Sequence, residues 1–445
     1  MKSIIIASDS SGGGKTTFTL GLMKALKNRG LNVQGYKVGP DYIDPAFHEE
    51  ATGTSSRNLD VHLMGEDGVK YSYNRGIGDV GIIEGVMGLY DGIGAGEKAS
   101  TYDISRILDN MPIILVLSPK GQSSTICAVI KGLKEYRNAN IAGIVLNSIS
   151  EKYYKLLKYS IEKNCNIKVF GYIPKNEEIS LSSRHLGLIQ SMEVLNLQKK
   201  LDICGKMIEE YVNVDEILNS MKEIKDNNDN NKYSQLIERN LENKKLRIGV
   251  AKDKAFSFYY NDNIELLKEI GDIIYFSPIK DKVLPENLDF LYIGGGYPEV
   301  FKEELESNET MRNSINKALD DGLRCYAECG GLMYLTDEIE GSRMTGFFSG
   351  KSFMTKRLQR FGYCSITLDE EYSKQKIKIN AHEFHKSDVE LNEKSIYSVK
   401  KEQYDGEIIK WNCGYVKKNT LAGYAHINFL GNIDFFKYVT GYNMI

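Results

Sequence analysis

The segment SDSSGGGKTTF, Ser8 to Phe18, has the residue types of a phosphate-binding loop. Gly12, Gly13 and Gly14 let backbone N–H groups close around phosphate oxygens, and the helix start that follows adds the favourable end of its dipole. Lys15 supplies a cation for the β- and γ-phosphates, Thr16 a hydroxyl for Mg²⁺, and Thr17 continues the nucleotide-binding run. The spacing departs from GxxxxGK[ST], because Asp9 stands at the first-glycine position. Glu84 closes the apolar run VGIIEG, where a carboxylate at a strand end can hold Mg²⁺ directly or through water. Taken alone, such a glutamate more often faces solvent. Lys37, in KVGPDYIDP, is either a surface lysine or a second cation for a transferring phosphoryl group. Asp41, Asp44 and Asp60 offer carboxylates for metal or for turns, and spacing does not rank them.

A second chemistry lies far downstream, in LRCYAECGGLMYL. Cys329 ends an apolar strand and is followed by Gly330 and Gly331, then an apolar helix start. A nucleophile on such a turn is expected to be exposed, with its thiol pKa lowered by the helix N-terminus. Cys325, inside the strand, reads as a small core residue. The cysteines lack zinc spacing. A thiolate needs a base, and His382, His385 and His426 lie downstream of it. His426, in LAGYAHINF, could equally be a satisfied structural histidine. His382 and His385 are three apart, but without further Cys or His nearby a metal pair is discounted. The GGGY run from Gly294 to Tyr297 ends a strand, and backbone N–H groups at Gly295 and Gly296 could form an oxyanion hole; a plain glycine turn is the alternative.

These groups must be positioned by parallel strands and covering helices. Ser3 to Ala7, Asn32 to Lys37, Val80 to Glu84, Ile113 to Leu117, Ile141 to Asn147 and Lys168 to Ile173 read as buried strands. A helix is expected from Thr16 to Arg29, closed by Gly30. Residues 221–245 are polar and rich in Asn and Asp, offer no core face, and read as an inter-domain linker. The strand–helix rhythm then restarts at LRIGVAKD and continues through LDFLYIGGG to LRCYAEC. The expected organisation is a domain at 1–220, a linker at 221–245 and a second α/β domain at 246–445.

The 445 residues suffice for two or three cores. With 57 Lys and Arg against 60 Asp and Glu, the net charge of −3 gives no electrostatic motive for binding nucleic acid. The apolar runs are too short for a membrane span or signal peptide. Seven cysteines, few and odd in number, suggest free thiols and a cytoplasmic location.

In these motifs the chain resembles the cobyrinic acid a,c-diamide synthase family over nearly its full length. The resemblance rests on SSGGGKTT, KVGPDYIDPAFH, SRNLD, IIEGVMGLYDG, RHLGL, DKAFSFYYNDN, YIGGGYPE, YAECGGLMYL, MTKRLQRFGY and HEFH. It implies a P-loop NTPase-like parallel-sheet domain followed by a class I-like glutamine amidotransferase α/β domain. It implies an ATP-dependent carbon–nitrogen ligase of cobalamin biosynthesis that amidates two acetate carboxylates of a corrinoid, through an acyl phosphate and ammonia released from glutamine. Carried over by motif, the nucleophile falls on Cys329, its base on His426 and the oxyanion segment on Gly295 and Gly296. Lys15, Thr16 and Lys37 meet the nucleotide, and Thr16, Asp60 and Glu84 serve Mg²⁺. Tyr42, Ile43 and Asp44 line the corrinoid acetate site. ATP, L-glutamine and a tetrapyrrole are the implied ligands, with a homodimer as an open expectation. Two positions depart from the family: Ser8-Asp9 replaces its usual Gly-Thr, and Asn428 stands two residues after the histidine, where triad amidotransferases often carry Glu. Three rivals remain. One is the same diamidation on Ni-sirohydrochlorin or hydrogenobyrinic acid. The second is a P-loop switch ATPase, which would have no use for the AECGG turn. The third is an inactive binding module.

Overall fold

The computed structural model describes residues 1–176, 183–184, 187–188, 190–224, 245–373 and 375–442. The chain divides into two compact units, Met1–Val61 with Gly65–Asn228, and Asp229–Ile445 with His62–Met64.

The first unit is built on a parallel sheet. Its strands are β1 (Lys2–Ser8), β2 (Val33–Val38), β3 (Arg57–Leu59), β4 (Val80–Glu84), β5 (Ile113–Leu117), β6 (Ile141–Asn147) and β7 (Val169–Ile173), in the spatial order β3-β2-β4-β1-β5-β6-β7. The strands are buried on both faces, so they read as continuous apolar runs rather than alternating ones. Helix α1 (Lys15–Asn28) follows β1 and ends at Gly30, whose φ of 84° closes the turn without a side-chain clash. Ile4, Ile6, Phe18, Leu22 and Ile82 join one apolar core with Leu201 and Ile208 of the helix Leu197–Tyr211. Each fully buried side chain of this size contributes ~1.5–3 kcal/mol.

The strand expectations of the first unit agree with the observed elements to within about one residue at each end, whereas LRIGVAKD and LDFLYIGGG run two to three residues beyond Leu246–Ala251 and Phe290–Ile293. The segment taken as linker differs at its start: Lys222–Glu223 pairs antiparallel with Lys2 and Ser3 of β1, because β5 pairs with this central strand only from Ile5 onward and leaves its first residues with backbone groups to satisfy. Residues 225–244 of that segment, and part of the RHLGL motif, lie outside the described residues.

The second unit opens as a parallel sheet of Gly271–Phe276, Leu246–Ala251, Phe290–Ile293, Arg324–Glu328 and Thr420–Gly423. Beyond Thr420–Gly423 it turns antiparallel through Ile408–Lys417, Ser395–Glu402 and the long strand Gly350–Leu368, which pairs with Ile377–Leu391. This antiparallel extension was not part of the α/β expectation. Its edge positions alternate buried and exposed, as in Ile377–Leu391, which is the pattern of a sheet covered on one face. Among the described residues, no helix is long and apolar enough to cross a membrane.

Candidate active sites

In the first unit the carboxyl ends of the parallel strands carry the polar groups, where ligands of open α/β sheets bind. Between β1 and α1 the loop depends on small residues. Gly14 has φ 93°, and a Cβ there would lie 2.1 Å from Asn147 Nδ2. Asn147 Nδ2 donates to Ser118 Oγ (2.9 Å), and Ser118 Oγ donates to Gly13 O (3.0 Å), so the ends of β5 and β6 brace the loop. Asp9, at the departure from the family pattern, is exposed and accepts from Ser8 Oγ and Ser10 Oγ (3.1 and 3.3 Å). Lys15 Nζ donates to Ser10 O (3.0 Å) and Met87 O (2.6 Å). Burial and the nearby Lys37 charge bring its pKa down to about 8.

Glu84, at the end of β4, is fully buried and is the hub of a network. Its Oε1 accepts from Thr16 Oγ1 (2.7 Å) and Lys37 Nζ (3.1 Å), and its Oε2 meets His48 Nε2 (2.7 Å), whose Nδ1 meets Ser56 Oγ (3.0 Å). Lys37 Nζ also donates to Asp44 Oδ2 (2.5 Å), on helix α2 (Ile43–Thr52), and to Gly85 O (3.2 Å). Burial opposes the Lys37 charge, but Asp44, Glu84 and Asp41 together outweigh it and hold its pKa high. One ammonium cannot neutralise two buried carboxylates. Burial works against the ionised form of both; Lys37, His48 and Thr16 overcome it at Glu84, whose pKa falls, whereas burial and the Glu84 charge push Asp44 up.

The structure thus brings Thr16, Lys37, Asp44 and Glu84 together. Asp44 sits on Lys37 rather than standing apart with Tyr42 and Ile43, which are half-buried at the start of α2. Asp60 is buried at the carboxyl end of β3. His48 was missed by residue reasoning, although its i+4 spacing from Asp44 in a helical run places both on one face. As to metal, the Thr16 hydroxyl and Glu84 carboxylate are adjacent hard oxygens. Among the described residues no cluster of three or more His, Cys, Asp or Glu forms a cation site. A donor set of this kind fits Mg²⁺, which is held by one or two protein oxygens together with phosphates and water.

In the second unit, Cys329 follows the strand Arg324–Glu328 with φ 49° and ψ −103°, the strained geometry of a nucleophile elbow. The elbow is locked to the glycine run. A Cβ on Gly331 would lie 2.3 Å from Ile293 O, and one on Gly330 would lie 3.2 Å from Gly296 N. Gly295–Gly296 is not a plain turn but a short strand paired with Phe256–Phe258. A Cβ on Gly295 would in turn lie 2.5 Å from His426 Cε1. The glycine run therefore abuts both the elbow and the imidazole.

One expectation fails in its physics. Cys329 is buried, not exposed, and its thiol pKa is pushed up by burial and by the nearby Glu299, against the weaker pull of the Gly330 N–H. The helix after it, Gly330–Leu335, has only six residues, too little dipole to reverse that. Asn428 does not take the place of a triad acid, since its Oδ1 accepts from Leu430 N (3.0 Å) and shapes the following turn. Glu328, overlooked in the sequence, lies with Oε2 at 3.7 Å from His426 Nδ1. The signal was a charged residue inside the apolar run CYAEC. His382 Nε2 meets Tyr260 OH (2.9 Å), while His385 meets Glu383 (3.1 Å) and stacks on Tyr424. Cys325 is a core residue, 1% exposed.

Comparison with known proteins gives a consistent pattern. Residues 4–189 match the CobQ/CobB/MinD/ParA nucleotide binding domain, and residues 247–433 match the CobB/CobQ-like glutamine amidotransferase domain. The chain is 57% identical to the cobyrinate a,c-diamide synthase of Clostridium tetani, over 98% of this chain and 99% of the relative. It is 59% identical to that of Clostridium acetobutylicum, over 99% of this chain and 100% of the relative. Among solved structures, the MinD cell division protein of Aquifex aeolicus is similar at 16% identity, over 49% of this chain and 94% of that one, with a TM-score of 0.32.

Proposed function

The chain belongs to the cobyrinate a,c-diamide synthase family, and from that premise we propose how its two units divide the reaction. It is a glutamine-dependent amide-forming enzyme with an ATP-binding domain. Its substrate is a corrinoid of the cobyrinate class, amidated on the a and c acetates. A carboxylate is a poor electrophile at neutral pH, so the first unit transfers the γ-phosphoryl group of ATP onto it. The Lys15 ammonium exchanges its two carbonyl partners for phosphate oxygens. Lys37, held in place by Asp44 and Glu84, offsets charge on the group in transfer. Thr16 and Glu84, with Asp60 carried over from the family motif, would hold Mg²⁺, which supplies further neutralisation of the phosphates. Tyr42 and Ile43 lie beside this cluster as the segment for the acetate arm.

In the second unit the Cys329 sulfur attacks the side-chain amide of glutamine. His426 takes the thiol proton and delivers it to the departing ammonia, and water then releases glutamate. Backbone groups of Gly295 and Gly296 face the oxyanion. Ammonia displaces phosphate from the acyl phosphate to give the amide.

The observation that carries this reading is the strained, glycine-locked Cys329 whose neighbouring strand touches His426. Its test is Cys329→Ala in the full chain, with cobyrinic acid as substrate. Glutamine-supported amidation is expected to be lost while ammonium-supported amidation persists at the parent rate. Equal loss of both, or retention of both, overturns the two-site scheme.

A further inference from the structure

We propose that Glu328 is the positioning carboxylate of the glutaminase site, acting on the substrate only through His426. This rests on the assignment of Cys329 and His426 made above. Glu328 is the last residue of its strand and is 1% exposed. A carboxylate in such a place is costly unless its lone pairs are filled. Three of its four lone-pair sites are met here: Oε1 accepts from Tyr326 OH (2.9 Å) and Ile427 N (3.1 Å), and Oε2 accepts from Tyr292 OH (3.0 Å). All three donors are neutral, so they solvate the negative charge without cancelling it. Burial, and then the Glu328 charge itself, raises the pKa of both tyrosines, so they stay protonated and keep donating.

The group at ion-pair distance from this carboxylate is His426, with Nδ1 3.7 Å from Oε2. The backbone fixes the pairing. Glu328 lies opposite Gly423, Cys329 N donates to Gly423 O (2.8 Å), and Ile427 N, next to His426, donates to Glu328. A second titratable ring, that of His382, packs against His426, with centroids 5.1 Å apart. Burial and the neighbouring His426 push the His382 pKa down, so it adds no positive charge and keeps its contact with Tyr260. At 3.7 Å the Glu328–His426 contact is electrostatic rather than a hydrogen bond. It strengthens when the ring is charged.

The chemistry assigned to it is limited. With Nδ1–H directed at Glu328, the lone pair of Nε2 is left for the thiol. As the S–H bond breaks and the S–C bond to the amide forms, the proton moves to Nε2, and Glu328 stabilises the resulting imidazolium. The proton leaves with the nitrogen as the C–N bond breaks, and Glu328 itself takes none. The acid commonly placed two residues after the histidine is here supplied by the residue before the nucleophile.

The test is Glu328→Gln in the full chain. The kcat for glutamine hydrolysis is expected to fall ~10- to 1,000-fold with little change in KM, and ammonium-supported amidation to persist. The limb of the kcat/KM profile that depends on His426 is expected to move to lower pH, because a charge that favoured imidazolium is gone. A packing role would lower activity without moving that limb. An unmoved limb overturns the proposal, whether or not activity falls. If the variant fails to fold, ¹⁵N-histidine NMR of the parent chain decides, with the His426 signals assigned by His426→Gln: an Nδ1–H tautomer supports the proposal, and an Nε2–H tautomer overturns it. Should His426→Gln keep normal glutamine hydrolysis, the base assignment itself fails. Should that variant lose hydrolysis while Glu328→Gln behaves as the parent, only the role of Glu328 fails.

Discussion

Replacing Lys15 by Met should remove ATP-dependent amidation and leave the first unit with a stability deficit that grows as pH rises. The lysine is 8% exposed, and its pKa falls from 10.5 to about 8 through burial and repulsion from Lys37. At 1.36 kcal/mol per pH unit, keeping it charged in the folded state at neutral pH costs about 3 kcal/mol. Methionine fills similar volume without charge, but forfeits the contacts with Ser10 O and Met87 O, worth ~1.5–3 kcal/mol each because the donor is charged. The losses equal or exceed the relief of burial, so at neutral pH the variant is no more stable than the parent and up to ~3 kcal/mol less stable. The pH dependence gives the stronger check. Below about pH 8 the lysine is charged in both folded and unfolded states, so its cost is fully present. Between about 8 and 10.5 the folded state sheds its proton first, and the parent chain gains stability relative to the variant. Calorimetry suits the measurement better than fluorescence, because the single tryptophan, Trp411, lies in the second unit. A variant more stable than the parent at neutral pH, or a difference that does not move in the parent's favour between about pH 8 and 10.5, refutes the reasoning. Glutamine hydrolysis should continue in the variant.

The same lysine makes nucleotide binding pH-dependent: ATP affinity measured by titration calorimetry should hold below about pH 8 and then weaken by up to ~10-fold per pH unit, since the neutral amine must take up a proton to bind. An affinity that is flat up to pH 10 would count against a phosphate contact at Lys15. Gly295→Ala places a methyl group 2.5 Å from His426 Cε1 and 3.4 Å from Phe258 Cβ, so the buried imidazole must shift. Glutamine hydrolysis should drop ~100-fold while ammonium-supported amidation is kept, and near-normal hydrolysis would show that the ring has no fixed place beside the glycine strand.

What the amino-acid sequence determined alone was the order of elements and the local chemistry of its turns. Continuous apolar runs such as IIIAS and IILVL, short, β-branched and bounded by turn residues, read as strands buried on both faces. A Gly-rich stretch between a strand and a helix is local, as is a cysteine followed by two glycines, and each can be read from neighbours in the chain. The hub at Glu84 could not be read this way. It gathers Thr16, Lys37 and His48 from three other elements, and parallel strands bring their ends together without any regular spacing in sequence. Nor could the fate of the thiol be read locally. A helix start and a tight turn argue for an accessible, acidic cysteine, but burial depends on how the glycine strand and the sheet close around it, and here burial wins. The carboxylate at Glu328 is the extreme case. Beside Cys329 in the chain, it acquires meaning only where the sheet sets it against Tyr292, Tyr326 and His426, because the charge of a buried group is governed by its spatial neighbours rather than its sequence neighbours.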